Sequence, residues 1–366
     1  SMSDRHHFFA VCLALEAGIP VLWWGAPGIG KTARVQAYAR ASKRHCETVI
    51  ASIREPSDFI GLQVRDGNCS RALTPDWAVR LADCGRGLLF LDEISTAAPA
   101  VQAALLRVVL ERVVGDLPLP PTVAIAAAAN PPEQAAGGWD LAPPLANRFI
   151  HIETAPDASA YVTGMLGGWP DPEPVRLSAN WEAGIQVNRA LVAAFIRARP
   201  QLLLVVPKDA GQASRGWPSP RSWDALARAL AAANSVQAPE DVTIPLAAGC
   251  VGPGAAGEFV AWVREQDLPD PEYLLAHPGK FELPARGDRA FAVLAAVVAA
   301  AVQNLTEPRW LAAWEIVERC CTAGAKDLAA SAAIVLAAER TKVPTYPVPV
   351  RALAQLKPIM DALKVA

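Results

Sequence analysis

The sequence predicts an α/β fold in which a five-stranded parallel sheet is flanked by helices, followed by a mostly helical second half. Three observations predict it. Short continuous apolar runs recur at Val21–Trp24, Thr48–Ser52, Gly87–Leu91, Val123–Ala128 and Phe149–Ile152. Helical stretches separate them at Lys31–Ala41, Pro75–Asp83 and Ala98–Glu111. Runs that are apolar at every position suit strands buried on both faces, and alternation with helices makes such strands parallel. After Ile152 the strand pattern stops.

The elements follow in order. Residues 8–18 read as a helix closed by Gly18. Residues 154–185 are rich in Pro, Gly and Asp and carry Trp169 and Trp181, so they read as an ordered connection. From about Gln186 the pattern is helical. Ser219 and Pro220 suit the N-cap and first position of a strong helix. A loop-rich stretch, Asp267–Gly287, precedes four helix candidates at Asp288–Gln303, Glu307–Cys321, Lys326–Arg340 and Arg351–Val365. In the second, Trp310, Trp314, Val317 and Cys321 share one face, as a bundle core requires. The expected segments are 1–155, a linker at 156–185, a helical segment at 186–266 and a C-terminal helical region at 267–366. No internal repeat is evident.

Composition narrows the function. The chain has 366 residues, 52% hydrophobic against 19% charged, enough to build a sizeable core. A net charge of −2 argues against a protein that holds nucleic acid through bulk positive charge. The longest apolar run, Ala290–Val302, is short of the roughly 20 residues of a membrane span. Seven cysteines, an odd number with no C-x-x-C pair, fit reduced thiols better than a disulfide framework. No signal-peptide pattern opens the chain, so a cytoplasmic setting is expected.

Five groups of residues carry chemistry. Gly25-Ala26-Pro27-Gly28-Ile29-Gly30-Lys31-Thr32 matches G-x-x-x-x-G-K-[ST] between a strand and a helix. Gly28 and Gly30 let the backbone curl so that N–H groups face phosphate oxygens. The following helix adds its positive N-terminal dipole. Lys31 suits the β- and γ-phosphates of ATP, and the Thr32 hydroxyl suits Mg²⁺. Asp92 and Glu93 end the apolar run Leu88–Leu91, at the strand edge where ligands sit in open α/β sheets. Asp92 suits Mg²⁺, and Glu93 suits polarising an attacking water. Asn130 ends Val123–Ala129 and is placed to orient the same water. Arg148 stands just before the last strand, and Arg221 follows Pro220. Either guanidinium suits neutralising charge on a γ-phosphate in the transition state.

This ordered set resembles the AAA+ ATPases, and more narrowly their MoxR branch, which includes the NorQ and CbbQ types. The resemblance covers about residues 8–265. It implies that Gly25–Thr32 is Walker A and Asp92-Glu93 Walker B. It further implies that Asn130 is sensor 1, Arg148 the arginine finger acting on a neighbouring subunit, and Arg221 sensor 2. A helical lid, a hexamer of identical subunits and a protein partner with a von Willebrand factor A domain are implied with them. Asp58-Phe59-Ile60-Gly61, with a hairpin turning at Asp66-Gly67, resembles that branch's insert. Arg112–Leu117 resembles its hairpin before sensor 1. One departure stands out: family members commonly carry Asp before the finger arginine, where this chain has Asn147. Residues beyond about 266 exceed a minimal lid.

Three functions compete. The first is an ATP-driven oligomeric remodeller of a protein partner. The second is a binding scaffold whose conformation ATP sets, with turnover incidental. The third, a nucleic-acid motor, lacks the Lys/Arg stripe interleaved with aromatics that it needs.

Overall fold

The structure, a computed structural model, describes residues 2–134, 138–179, 181–347 and 349–365. They form two compact units. The first comprises residues 1–179 and 204–257, the second 180–203 and 258–366.

The first unit opens with α1 (Met2–Glu16) and is built on β1 (Val21–Trp24), β2 (His45–Ile50), β5 (Gly87–Asp92), β8 (Val123–Ala129) and β9 (Ile150–Glu153). These five pair in parallel in the order β2-β5-β8-β1-β9. Burial explains the order. β1 and β8 are buried at every position and β5 at all but Asp92, so they take the interior of the sheet, while half-exposed β2 takes an edge. Neighbours on β1 face opposite ways. Trp23 lies against Phe8 of α1, with ring centroids 5.3 Å apart. Trp24 joins the core on the other face with Leu89, Leu91 and Ile125.

Helices α2 (Lys31–Ala41), α3 (Ser57–Ile60), α4 (Asp76–Asp83), α5 (Pro99–Glu111) and α6 (Pro143–Ala146) fill the crossovers. Two small antiparallel hairpins leave this layer. One pairs β3 (Leu62–Asp66) with β4 (Cys69–Leu73), the other β6 (Val113–Val114) with β7 (Leu117–Pro118). They meet where Ala72 N of β4 donates to Asp116 Oδ2 in the β6–β7 turn at 3.1 Å, and Gly115 N donates to Phe59 O of α3 at 2.9 Å. A Cβ on Gly61 would stand 2.9 Å from Leu73 O and 3.1 Å from Gly115 Cα, so glycine permits the approach.

The chain then forms α7 (Ala158–Gly167), capped by Asp157, inside the stretch expected to be a connection. One boundary also moves. β2 starts at His45 rather than Thr48, because His45–Ile50 pairs with all of β5 and the chain turns into a 3₁₀ helix at Ala51. The loop-rich stretch after Asp267 contains α13 (Pro271–Ala276).

Helix α8 (Gly184–Ala198) belongs to the second unit; α9 (Ala210–Ala213), α10 (Pro220–Ser235) and α11 (Glu240–Val251) belong to the first. The units therefore cut across the expected segment 186–266. Packing explains it. On α8, Phe195 stacks edge-on with Phe259 and Trp262 of α12 (Pro253–Gln266). α8 also packs along α14 (Gly287–Gln303). On α11, Gly249 lies so close to β9 that a Cβ would sit 2.3 Å from His151 O. The second unit is completed by α15 (Glu307–Thr322), α16 (Lys326–Glu339) and α17 (Val350–Val365). The expected stripe on α15 is its core: Trp310, Trp314, Val317 and Cys321 are all buried. No helix among the described residues is long and apolar enough to cross a membrane.

Candidate functional site

Residues Gly25–Thr32 link the end of β1 to the start of α2. Gly25 N donates to Ala129 O at 3.2 Å, extending the β1–β8 ladder to the loop's first residue. A Cβ there would stand 2.5 Å from Ile29 Cδ1 and 3.0 Å from Thr154 O, so the loop closes tightly around glycine. Gly28 and Gly30 have φ of 80° and 89°, the left-handed region that glycine adopts without a side-chain clash. Gly30 caps α2 without a side-chain hydrogen bond, which leaves the first N–H groups of the helix directed toward the loop.

Three strand ends meet this loop. Lys31 is 7% exposed, and its Nζ donates to Gly25 O at 2.7 Å, Ala26 O at 3.0 Å and Asn130 Oδ1 at 2.9 Å. None of these acceptors is a carboxylate. A buried ammonium held only by neutral oxygens is a site prepared for an anion. Burial pushes its pKa below the ordinary lysine value, and Asp92 and Glu93 partly oppose the shift. Thr32 Oγ1 donates to Asp92 Oδ2 at 2.6 Å. This hydroxyl–carboxylate pair is an oxygen-rich donor set of the type Mg²⁺ takes, beside a phosphate cradle. Gly25–Thr32 would hold the phosphates, and Thr32 with Asp92 would hold the metal.

Glu93 follows directly at φ 56°, in the left-handed region. Its N–H donates to Asp92 Oδ1 at 2.9 Å. The Ser52 hydroxyl donates to Glu93 Oε2. Sequence reasoning missed Ser52, which lies 41 residues away beyond the end of β2. Asn130 stands where β8 ends beside β1. Its N–H donates to Ser95 Oγ at 3.2 Å. Lys31 is thus bonded to Asn130 and its neighbour Thr32 to Asp92, with Glu93 next to Asp92.

Arg148 and Arg221 form a second group. Arg148 donates to Pro144 O, and its pKa is lowered by burial and by the neighbouring Arg221 charge. Arg221 is exposed on the first turn of α10. Among the described residues, no hydrogen bond or ion pair joins either arginine to the phosphate-loop group. Asn147 is buried and ties the Arg148 turn to the start of α10. Its Nδ2 donates to Trp217 O at 3.0 Å, and its Oδ1 accepts from Ser219 Oγ at 2.6 Å. Ser219 is the N-cap of α10, in a capping box with Ser222. The amide is needed because a carboxylate has nothing to donate to the Trp217 carbonyl.

Residues 20–151 match the ATPase family associated with various cellular activities (AAA). No curated protein matches the chain. Among solved structures, the chain is similar to one named "putative ATPase" from Cytophaga hutchinsonii. That likeness has 19% identity, covers 65% of this chain and 79% of that chain, and has a TM-score of 0.41. The matched residues hold the phosphate loop and the strands around it, and the match supports ATPase activity.

Proposed function

We propose that this chain is a MoxR-type AAA+ ATPase, of the NorQ and CbbQ kind, that works as a cytoplasmic ring of identical subunits and remodels a protein partner. The observation that carries the reading is the pairing of Lys31 with Asn130 beside the pairing of Thr32 with Asp92. Triphosphate, metal and water would meet at these four residues.

The residues divide the work. Backbone N–H groups of Gly25–Thr32 and the Lys31 ammonium bind the β- and γ-phosphates of ATP. Thr32 and Asp92 hold Mg²⁺, directly or through water. When bound, Mg²⁺ neutralises charge on the β- and γ-phosphate oxygens. Glu93 accepts the proton of the water that attacks the γ-phosphorus, and Asn130 orients that water. Phosphate and ADP leave. Arg148 acts on the nucleotide of a neighbouring subunit. Arg221 adds a second positive charge to the phosphates. A finger arginine is worth about 10³–10⁵ in rate. That equals about 4–7 kcal/mol at 1.36 kcal/mol per tenfold.

The place of Arg148 in the motif set, just before the last strand, supports its acting in trans. The motif set supports a hexamer and a partner with a von Willebrand factor A domain. Concentration dependence tests the assembly. Specific ATPase rate rises with protein concentration as rings form. A rate that is the same in monomeric fractions and concentrated samples contradicts the proposal.

A further inference from the structure

One buried side chain bridges the two groups of the site. His151 lies on β9, is 8% exposed and uses both ring nitrogens. Trp24 Nε1 donates to His151 Nδ1 at 2.9 Å. His151 Nε2 stands 2.8 Å from Ala146 O. An indole N–H only donates and a carbonyl only accepts. The ring is therefore the neutral tautomer with its proton on Nε2. Burial pushes its pKa down to about 4, which keeps it neutral.

The positions of the two partners matter. Trp24 is the residue before Gly25, so its backbone leads directly into the phosphate loop. Ala146 is two residues before Arg148. The guanidinium of Arg215 sits over the Trp24 ring, 3.5 Å from its centroid. The turn at Ala146–Arg148 is held from its other end by Asn147 on Trp217 and Ser219.

We propose that His151 is a positioning residue: through Trp24 and Ala146 it sets the turn that presents Arg148 relative to the strand that ends in the phosphate loop. The inference rests on Arg148 being the arginine that neutralises phosphate charge. The bridge then links a subunit's own nucleotide loop to the arginine it offers.

The test uses the full chain and steady-state ATP hydrolysis. Trp24→Phe removes the N–H and keeps most of the ring; His151→Phe removes both bonds. Each is measured alone and combined with Arg148→Ala, and melting curves establish which variants fold. Misplacement of a reacting group by about 1 Å costs roughly 100-fold. The expected result is a kcat loss of about 10- to 100-fold for either variant, with KM for ATP within about twofold of wild type. In the Arg148→Ala background the same substitution costs less than about twofold, because the arginine it positions is gone. Equal fold-losses in both backgrounds overturn the proposal, as does a raised KM with unchanged kcat. If His151→Phe does not fold, Trp24→Phe carries the same comparison. If Arg148→Ala itself leaves kcat unchanged, the reading of the arginine fails, and the positioning proposal falls with it.

Discussion

Lys31 Nζ and Asn130 Oδ1 are 2.9 Å apart, joining the first turn of α2 to the end of β8 across 99 residues of sequence. The bond brings the cation for the phosphates within reach of the amide that would hold the water. It also places both at the carboxyl ends of the parallel strands.

Lys31→Ala should abolish ATP binding, because among the described residues no other buried lysine or arginine is bonded to the phosphate loop. Asn130→Ala should keep binding and lose roughly 100-fold in kcat, the typical effect of deleting one aligned polar group. Fluorescent-nucleotide titration and steady-state kinetics separate the two. Normal hydrolysis by Lys31→Ala would refute the site.

Glu93→Gln should bind ATP as wild type does and lose roughly 10²–10⁴ in turnover. Its carboxylate is held by the Ser52 hydroxyl, and that bond must yield before the carboxylate turns to a water. Ser52→Ala should therefore raise basal turnover a few-fold, measured without any partner. The effect is small because Glu93 is solvent-exposed. A lower rate would mean that Ser52 supports the active orientation instead.

The phosphate loop and the acids at Asp92-Glu93 were legible because both are local. Positive φ demands glycine at Gly28 and Gly30, and an apolar run ending in two acids marks a strand end. The bonds that organise the site are not local. Ser52 to Glu93 spans 41 residues, Asn147 to Ser219 72 and Trp24 to His151 127. These pairs follow from the sheet order, which no single segment encodes. α7 escaped because its apolar side chains do not mark a buried face. Tyr161, Met165 and Leu166 are exposed, and Gly164 leaves room for the Trp169 ring, which a Cβ would meet at 2.2 Å.

Asn147→Asp restores the residue common in the resembled family, and here it should destabilise. The new oxygen would face the Trp217 carbonyl in a buried site, with the donor lost. The cost should be about 2–4 kcal/mol, a group left unsatisfied and charged under burial. Urea unfolding of the two proteins measures it. Equal midpoints would show that the amide's donor is dispensable.

His151 makes stability depend on pH in a defined window. An unfolded histidine gains its proton below about 6.5, whereas folded His151 stays neutral until about 4. Between these values the unfolded chain binds more protons, so stability rises with pH. This contribution is complete above pH 6.5 and is lost as pH falls toward 4, about 3 kcal/mol in all. His151→Phe should show a shallower loss of urea midpoint from pH 7 to 4.5 than wild type. Parallel curves would mean that His151 titrates normally in the fold.

The most direct measurement mixes two impaired variants. Arg148→Ala keeps its own phosphate loop and Glu93, and Glu93→Gln keeps its arginine. If a second copy completes the pocket, the mixture regains ATPase activity that neither variant shows alone. A mixture no more active than its components would contradict the account.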